Sequence, residues 1–488
     1  MELTILLFLP ALGATLVLLL PQSQEHQARY IALLVSLGAL GVSLWLFVDF
    51  DNDASGFQYV VQETWVEAAG FDLEYHLGLD GLSMPLVVLT TVLTVASVLV
   101  SFSVTRRERA YYASLLLLST SVLGVFMALD FMLFFLFWEL ELFPMYLLIA
   151  VWGSGRREYS AMKFVLFTIA GSAFMLVGIL ALGFSANTFD MTLLGEAENI
   201  EETILPLRWV FFLLFIGFAV KLPVIPVHTW LPDAHSDAPT AVSVMLAGVL
   251  LKMGGYGLLR TAVTMLPEQA DDFSIWLVGL GAASVLYGGF VTLRQTDVKR
   301  LIAYSSVSHM GIVLLGIGAL GTVSMVGAAY QMLAHGVITG MLFVTVGLMY
   351  ERTHTREISQ LGGLARQMPL IATGLVFAGL ASLGLPALAG FIAEVMVFLG
   401  SFDRYEWAVL VSIGGVVLSA GYILWTMQRV VFGPVCHEWD GATDQTHWWE
   451  HAAVVGLGAL VVLLGVYPAL MTDMITPAVE VISGRMPA

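Results

Sequence analysis

The chain has 488 residues, 58 % of them hydrophobic and only 12 % charged, about half the charge content of an ordinary soluble domain. The formal net charge of −17 argues against nucleic acid as a partner. The single cysteine, Cys436, excludes a disulfide framework and any cluster held by cysteines, and no glycine-rich phosphate loop opens a helix after a strand.

This composition is that of a polytopic, all-α membrane protein, with 1–488 forming one membrane domain. The opening stretch MELTILLFLPALGATLVLLL lacks a basic leader and reads as a retained first span. Apolar windows predict about fourteen spans, near 3–20, 29–50, 82–103, 110–128, 130–152, 161–184, 207–227, 239–262, 273–293, 299–319, 323–350, 369–400, 406–432 and 451–473. Span 110–128 runs almost directly into 130–152, and 369–400 is overlong and interrupted.

The basic residues test this count. One set of alternate loops holds Arg29, Arg106, Arg107, Arg109, Arg156, Arg157, Lys163, Arg294, Lys299, Arg300, Arg352, Arg356, Arg366 and Arg429, which is 14 of the 20. The other set holds Arg208, Arg260, Arg404 and Arg485. The positive-inside rule then places both termini on the extracytoplasmic side. The acids lean the other way: loop 51–81 carries Asp51, Asp53, Glu63, Glu67, Asp72, Glu74 and Asp80, and loop 187–206 carries Asp190, Glu196, Glu198, Glu201 and Glu202.

Six ionisable residues fall inside predicted spans: Glu139, Lys221, Lys252, His309, His335 and Glu394. A charge at mid-bilayer costs about 2.5–3.5 kcal/mol on insertion scales, so such residues face the protein interior and point to function. Glu139 lies centrally in DFMLFFLFWELELFPMYLLIAVWG (130–153). Glu141, two positions on, lies about 200° around the helix, so the acids cannot share a face; Glu139 is the expected functional one. Desolvation pulls a lysine's proton off and a nearby carboxylate holds it on. A Glu139–Lys221 pair of changeable spacing is therefore a proton switch.

Lys221 stands two residues before Pro223 in GFAVKLPVIPVHTWLPDAH (217–235). Pro223 and Pro226 cannot bond the carbonyls of Ala219 and Leu222, and broken spans survive only where protein or a wet cavity satisfies the freed groups. Transporters use such breaks beside ion sites. Lys252 sits among glycines in SVMLAGVLLKMGGYGLLR, and His309 and His335 are natural relays. Glu394 follows a second break at Pro386 in ASLGLPALAGFIAEVMVF. Acid, base, base, histidine, histidine and acid thus follow one another in separate spans. Two broken spans further suggest two five-helix repeats, 108–262 and 273–432, of opposite orientation because five is odd.

The stretches WELELFPMYLLIAVWG, KLPVIPVHTWLPDAHSDAPTAVSVMLAGVLLKMGGYGLLR, KRLIAYSSVSHMG and SLGLPALAGFIAE resemble the antiporter-like membrane subunits of respiratory complex I, NADH–quinone oxidoreductase, above all the M type. The resemblance implies fourteen spans with inverted repeats in spans 4–8 and 9–13 and breaks in spans 7 and 12. It implies proton translocation through Glu139, Lys221, Lys252, His309, His335 and Glu394, coupled to quinone reduction elsewhere. Glutamate at 394 fits the M type, where the L and N types have lysine. The implied setting is a bacterial inner membrane, with flanking L and N subunits and lipid as partners. No cofactor is expected in this chain; NADH, flavin, iron–sulfur clusters and quinone belong to partner subunits. The alternative is a subunit of a multisubunit sodium–proton antiporter.

Overall fold

The computed structural model describes residues 1–54, 56–68, 71–194, 204–435 and 446–487. Cys436, Glu196, Glu198, Glu201 and Glu202, and the side chains of Glu67 and Asp72, lie outside the described residues.

Among the described residues eleven helices are long and apolar enough to cross a membrane. Length alone does not return fourteen: one predicted span is an unbroken but shorter helix, and others are broken. Met84–Val100 and Pro369–Ser382 are apolar but shorter, and Leu207–Lys221 stops at 15 residues. Ala389–Val430 runs for 42 residues, about 63 Å at the helical rise, and bends at Tyr405, whose φ of −137° and ψ of 54° are not helical.

The breaks follow from the prolines. After Lys221, the last turn closes through Leu222 N–H to the Phe218 carbonyl and Val224 N–H to that of Ala219, at 2.8 and 3.0 Å; Pro223 has no N–H to continue the ladder. The chain resumes as Trp230–Asp237. The second break has the same plan: Pro369–Ser382 ends before Pro386, and a helix restarts at Ala389. A third interruption separates Phe131–Leu140 from Leu142–Trp152 at Glu141, where Pro144 leaves the Leu140 carbonyl without its helical donor.

Three helices form the centre: Thr240–Val263, Val298–Gly318 and Thr322–Thr353, each buried over nearly its whole apolar window. They carry Lys252, His309 and His335. Gly254 lets the first of them lie against the break after Lys221, since a Cβ there would stand 2.6 Å from the Leu222 nitrogen.

Two joints of the molecule are built alike. Asp130 caps the helix beginning at Phe131 by accepting from Leu133 N–H, and Asp297 caps the helix beginning at Val298 by accepting from Arg300 N–H. Phe131 N–H bonds the Phe189 carbonyl and Met191 N–H that of Leu129; Val298 N–H bonds the Arg356 carbonyl and Ile358 N–H that of Thr296. Each residue of the first joint is matched in the second at one constant offset along the chain.

Two elements depart from the sequence reading. Much of loop 51–81 is an antiparallel hairpin, Gln58–Ala68 paired with Phe71–Leu79. Overlapping the end of the last predicted span, 451–473, and running past it is a separate helix, Ala469–Ser483, which buries Met471, Met474, Ile475, Ala478, Val479 and Ile482, the stripe of an amphipathic helix.

Candidate functional site

The six predicted residues fall into two groups. In the first, Lys221 is fully buried at the broken end of its helix. Its ammonium makes an ion pair with Glu141, also fully buried. This corrects the expected direct pairing with Glu139. The two acids do diverge, and it is Glu141 that turns toward Lys221. Glu139 is half-buried and directs its carboxylate to Ser172, while staying within electrostatic reach of Lys221. Lys221 thus faces two carboxylates, one in contact and one held in reserve. The rings of Trp138 and Phe164 each lie 5.4 Å from its Nζ and exclude solvent while offering cation–π attraction. Trp230 donates to the Val220 carbonyl at 2.9 Å, so the resuming helix supplies a donor to the broken one.

The second group is one continuous chain of contacts. Lys252 Nζ lies 2.8 Å from His335 Nδ1, and the His335 and His309 rings are 5.4 Å apart between centroids. His309 Nδ1 lies 3.5 Å from Glu394 Oε1, and its Nε2 lies 3.2 Å from the Ser382 hydroxyl. The order of contact differs from the order along the chain in one respect: His335, not His309, meets Lys252, and His309 meets Glu394. A lysine and an imidazole sharing one hydrogen bond cannot both be fully protonated on the facing nitrogens, so this pair holds a proton that either member can carry.

Local structure prepares these positions. Lys252 lies between two π-helical turns, 246–250 and 258–263, a feature common at functional sites, and its ammonium donates to the Ala247 carbonyl five residues earlier. Gly384 has φ of +80° at the second break, and a Cβ there would stand 2.9 Å from Glu394 Oε2. The break therefore makes room for the carboxylate.

Leu222, next to Lys221, is fully buried; a Cβ on Gly254 or on Gly255 would meet it, and one on Gly255 would also meet Met332 Sδ. Pro223, Pro226 and Pro386 lie in the two non-helical breaks.

The sequence reading missed several partners. Gln331 Nε2 lies 3.4 Å from His309 Nδ1; its position one turn before His335 was the available signal. Lys299, counted among loop cations, is buried and donates to the Ala238 carbonyl. It lines a cavity of about 180 Å³ with Thr240, Tyr350, Glu351 and Arg356. His235 is fully buried, stacked on Phe343 with centroids 4.7 Å apart, and within electrostatic reach of both Lys299 and Lys252. The Trp230–Asp237 helix that carries it is anchored by Lys163 to Asp233 at 2.7 Å and Ser160 to Asp237 at 2.6 Å.

Residues 128–419 match the family described as NADH:quinone oxidoreductase/Mrp antiporter, TM. The chain is 41 % identical to NADH-quinone oxidoreductase subunit M of Rhodobacter capsulatus, over 98 % of this chain and 95 % of that one. It superposes on a chain of respiratory complex I from Thermus thermophilus with a TM-score of 0.89 at 30 % identity, covering all of both chains. It also shares its fold with a chain of the Mrp complex from Dietzia, with a TM-score of 0.83 at 20 % identity over 98 % and 97 % of the two. The buried Lys–His–His–Glu chain and the lysine at a broken helix therefore belong to a member of the NADH:quinone oxidoreductase/Mrp antiporter membrane-subunit family.

Proposed function

We propose that this chain is a proton-translocating, multi-pass subunit of a bacterial NADH–quinone oxidoreductase, set in the inner membrane beside other membrane-arm subunits, with L- and N-type chains flanking it. The observation that carries the reading is the buried line Lys252–His335–His309–Glu394. Buried groups of this kind are costly unless they work, and lysine and histidine exchange protons without needing a metal cage.

In this reading Glu141 and Glu139 are alternative partners of Lys221. With a carboxylate close, Lys221 holds its proton; as it moves away, desolvation expels the proton toward Lys252 past Leu222. The histidines pass it to Glu394. The cavity beside Lys299, with His235 behind it, serves as the access from the basic side. Spans 4–8 and 9–13, over 108–262 and 273–432, form inverted repeats, supported by the two matched joints. The basic residues favour both termini on the extracytoplasmic side. NADH, flavin, iron–sulfur and quinone chemistry then belong to partner subunits, with no redox centre in this chain.

The test is to extract the tagged chain gently from its own membrane and identify what copurifies. Flavin- and iron–sulfur-bearing subunits with NADH–quinone activity are expected. Small membrane partners alone, without redox activity, would instead identify a sodium–proton antiporter subunit, the reading kept open by the shared Mrp fold.

A further inference from the structure

The two matched joints differ in charge. At the second, Arg356 pairs with Asp297 at 3.2 Å. At the first, no arginine or lysine plays that part among the described residues. Asp190 and Glu74 instead face a single imidazole, that of His76, which is 4 % exposed. His76 Nδ1 lies 3.4 Å from Asp190 Oδ2 and 3.9 Å from Glu74 Oε2, yet it has no hydrogen-bond partner.

We propose that Glu74, His76 and Asp190 form a divalent-cation site of the zinc class, tying the hairpin to the connection after the Arg157–Ala186 helix. One ligand atom from each of the three residues lies within 4.8 Å of the others. Zinc bonds of about 2.0–2.1 Å arranged as a tetrahedron place ligand atoms about 3.3–3.4 Å apart, which is the His76–Asp190 separation. Glu74 Oε2, 3.9 Å from His76 Nδ1, has to close on it by about 0.5 Å, and its gap to Asp190, within 4.8 Å, has to close to the same spacing.

The supporting contacts leave Asp190 Oδ2 free, while Glu74 Oε2 accepts one hydrogen bond and keeps a second lone pair for a cation. Asp190 Oδ1 accepts from both the backbone N–H and the hydroxyl of Thr192, at 2.8 and 2.7 Å, which turns Oδ2 toward His76. Gln62 Nε2 donates to Glu74 Oε2 at 2.7 Å across the hairpin, and Glu74 N–H donates to Asp130 Oδ2 at 3.3 Å. Such outer contacts orient ligands in metal sites. An imidazole among the donors favours a transition cation over calcium or magnesium. Two carboxylates and a neutral imidazole carry two negative charges, which one divalent ion neutralises where the other joint uses an arginine.

The test uses the whole purified complex, treated with chelator and titrated with Zn²⁺ against a chromogenic competitor. Wild type is expected to bind one equivalent that is weakened by about tenfold or more in His76→Gln and in Asp190→Asn. Glu357→Gln, at the matched position of the other joint, is expected to leave it unchanged. An unchanged zinc count and affinity in the first two variants would overturn the site. Where a variant fails to assemble, anomalous scattering at the zinc edge from the zinc-soaked wild-type complex decides. A peak between His76 and Asp190 supports the site, and its absence there refutes it.

Discussion

The two charged regions of the membrane interior solve the same problem in opposite ways. Lys221 is held by one direct ion pair inside an aromatic enclosure at the end of a broken helix. Among the described residues Lys252 has no acid in contact; it is hydrogen-bonded to His335, whose ring packs against that of His309, which in turn meets Glu394. In the proposed function the first arrangement stores a proton, because a desolvated lysine changes its hold on the proton as its carboxylate moves, and the second conducts, because each member has a titratable neighbour; switching and conduction are then divided between the two regions.

Breaking the switch has the largest expected effect. Glu139→Gln leaves Lys221 with Glu141 as its one carboxylate, so the pair locks; proton pumping by inverted membrane vesicles, read by a quenched acridine dye, is expected to fall about a hundredfold, the scale of a lost proton-transfer group. Glu141→Gln leaves Glu139 within reach, and the expected loss is about tenfold. The reverse ranking would make Glu141 the working partner and Glu139 a bystander. In the conducting file, His309→Gln keeps a hydrogen-bonding side chain beside Ser382 and Glu394 but cannot carry a proton. Water can bridge part of that gap, so pumping is expected to fall severalfold, less than for either acid. The smallest effect belongs to Gly384→Ala. A side chain at its φ of +80° is strained, by about 1–2 kcal/mol, and meets Glu394. A modest drop in thermal stability and about a twofold loss of pumping are expected, and no change in either would remove the role given to the second break.

The members of the buried line Lys252–His335–His309–Glu394 were legible in the sequence, though not their order of contact. Lys252, His309, His335 and Glu394 each interrupt a long apolar run, and the cost of a buried charge is enough to single them out. The breaks were legible for the same kind of reason, since a proline without an N–H must open a helix. The partner of Lys221 was not. Helical geometry says that Glu139 and Glu141 diverge, but which of them meets another helix depends on how the helices pack. The hairpin was missed although Phe71, Leu73, Tyr75, Leu77 and Leu79 alternate with the two-residue period of a strand; a hydropathy window long enough for a span averages that alternation away, and the partner strand Gln58–Ala68 lacks it. The helix Ala469–Ser483 was hidden because a window of uniform hydropathy ran past Pro468, where one helix has ended at Val466 and another begins at Ala469.

The most direct measurement is NADH-driven proton uptake by inverted vesicles carrying Lys221→Ala, with assembly of the complex checked by its copurifying subunits. An assembled complex that no longer takes up protons is the predicted result. Near-normal uptake would contradict the account, because Lys221 would then be a buried charge without a part in moving protons.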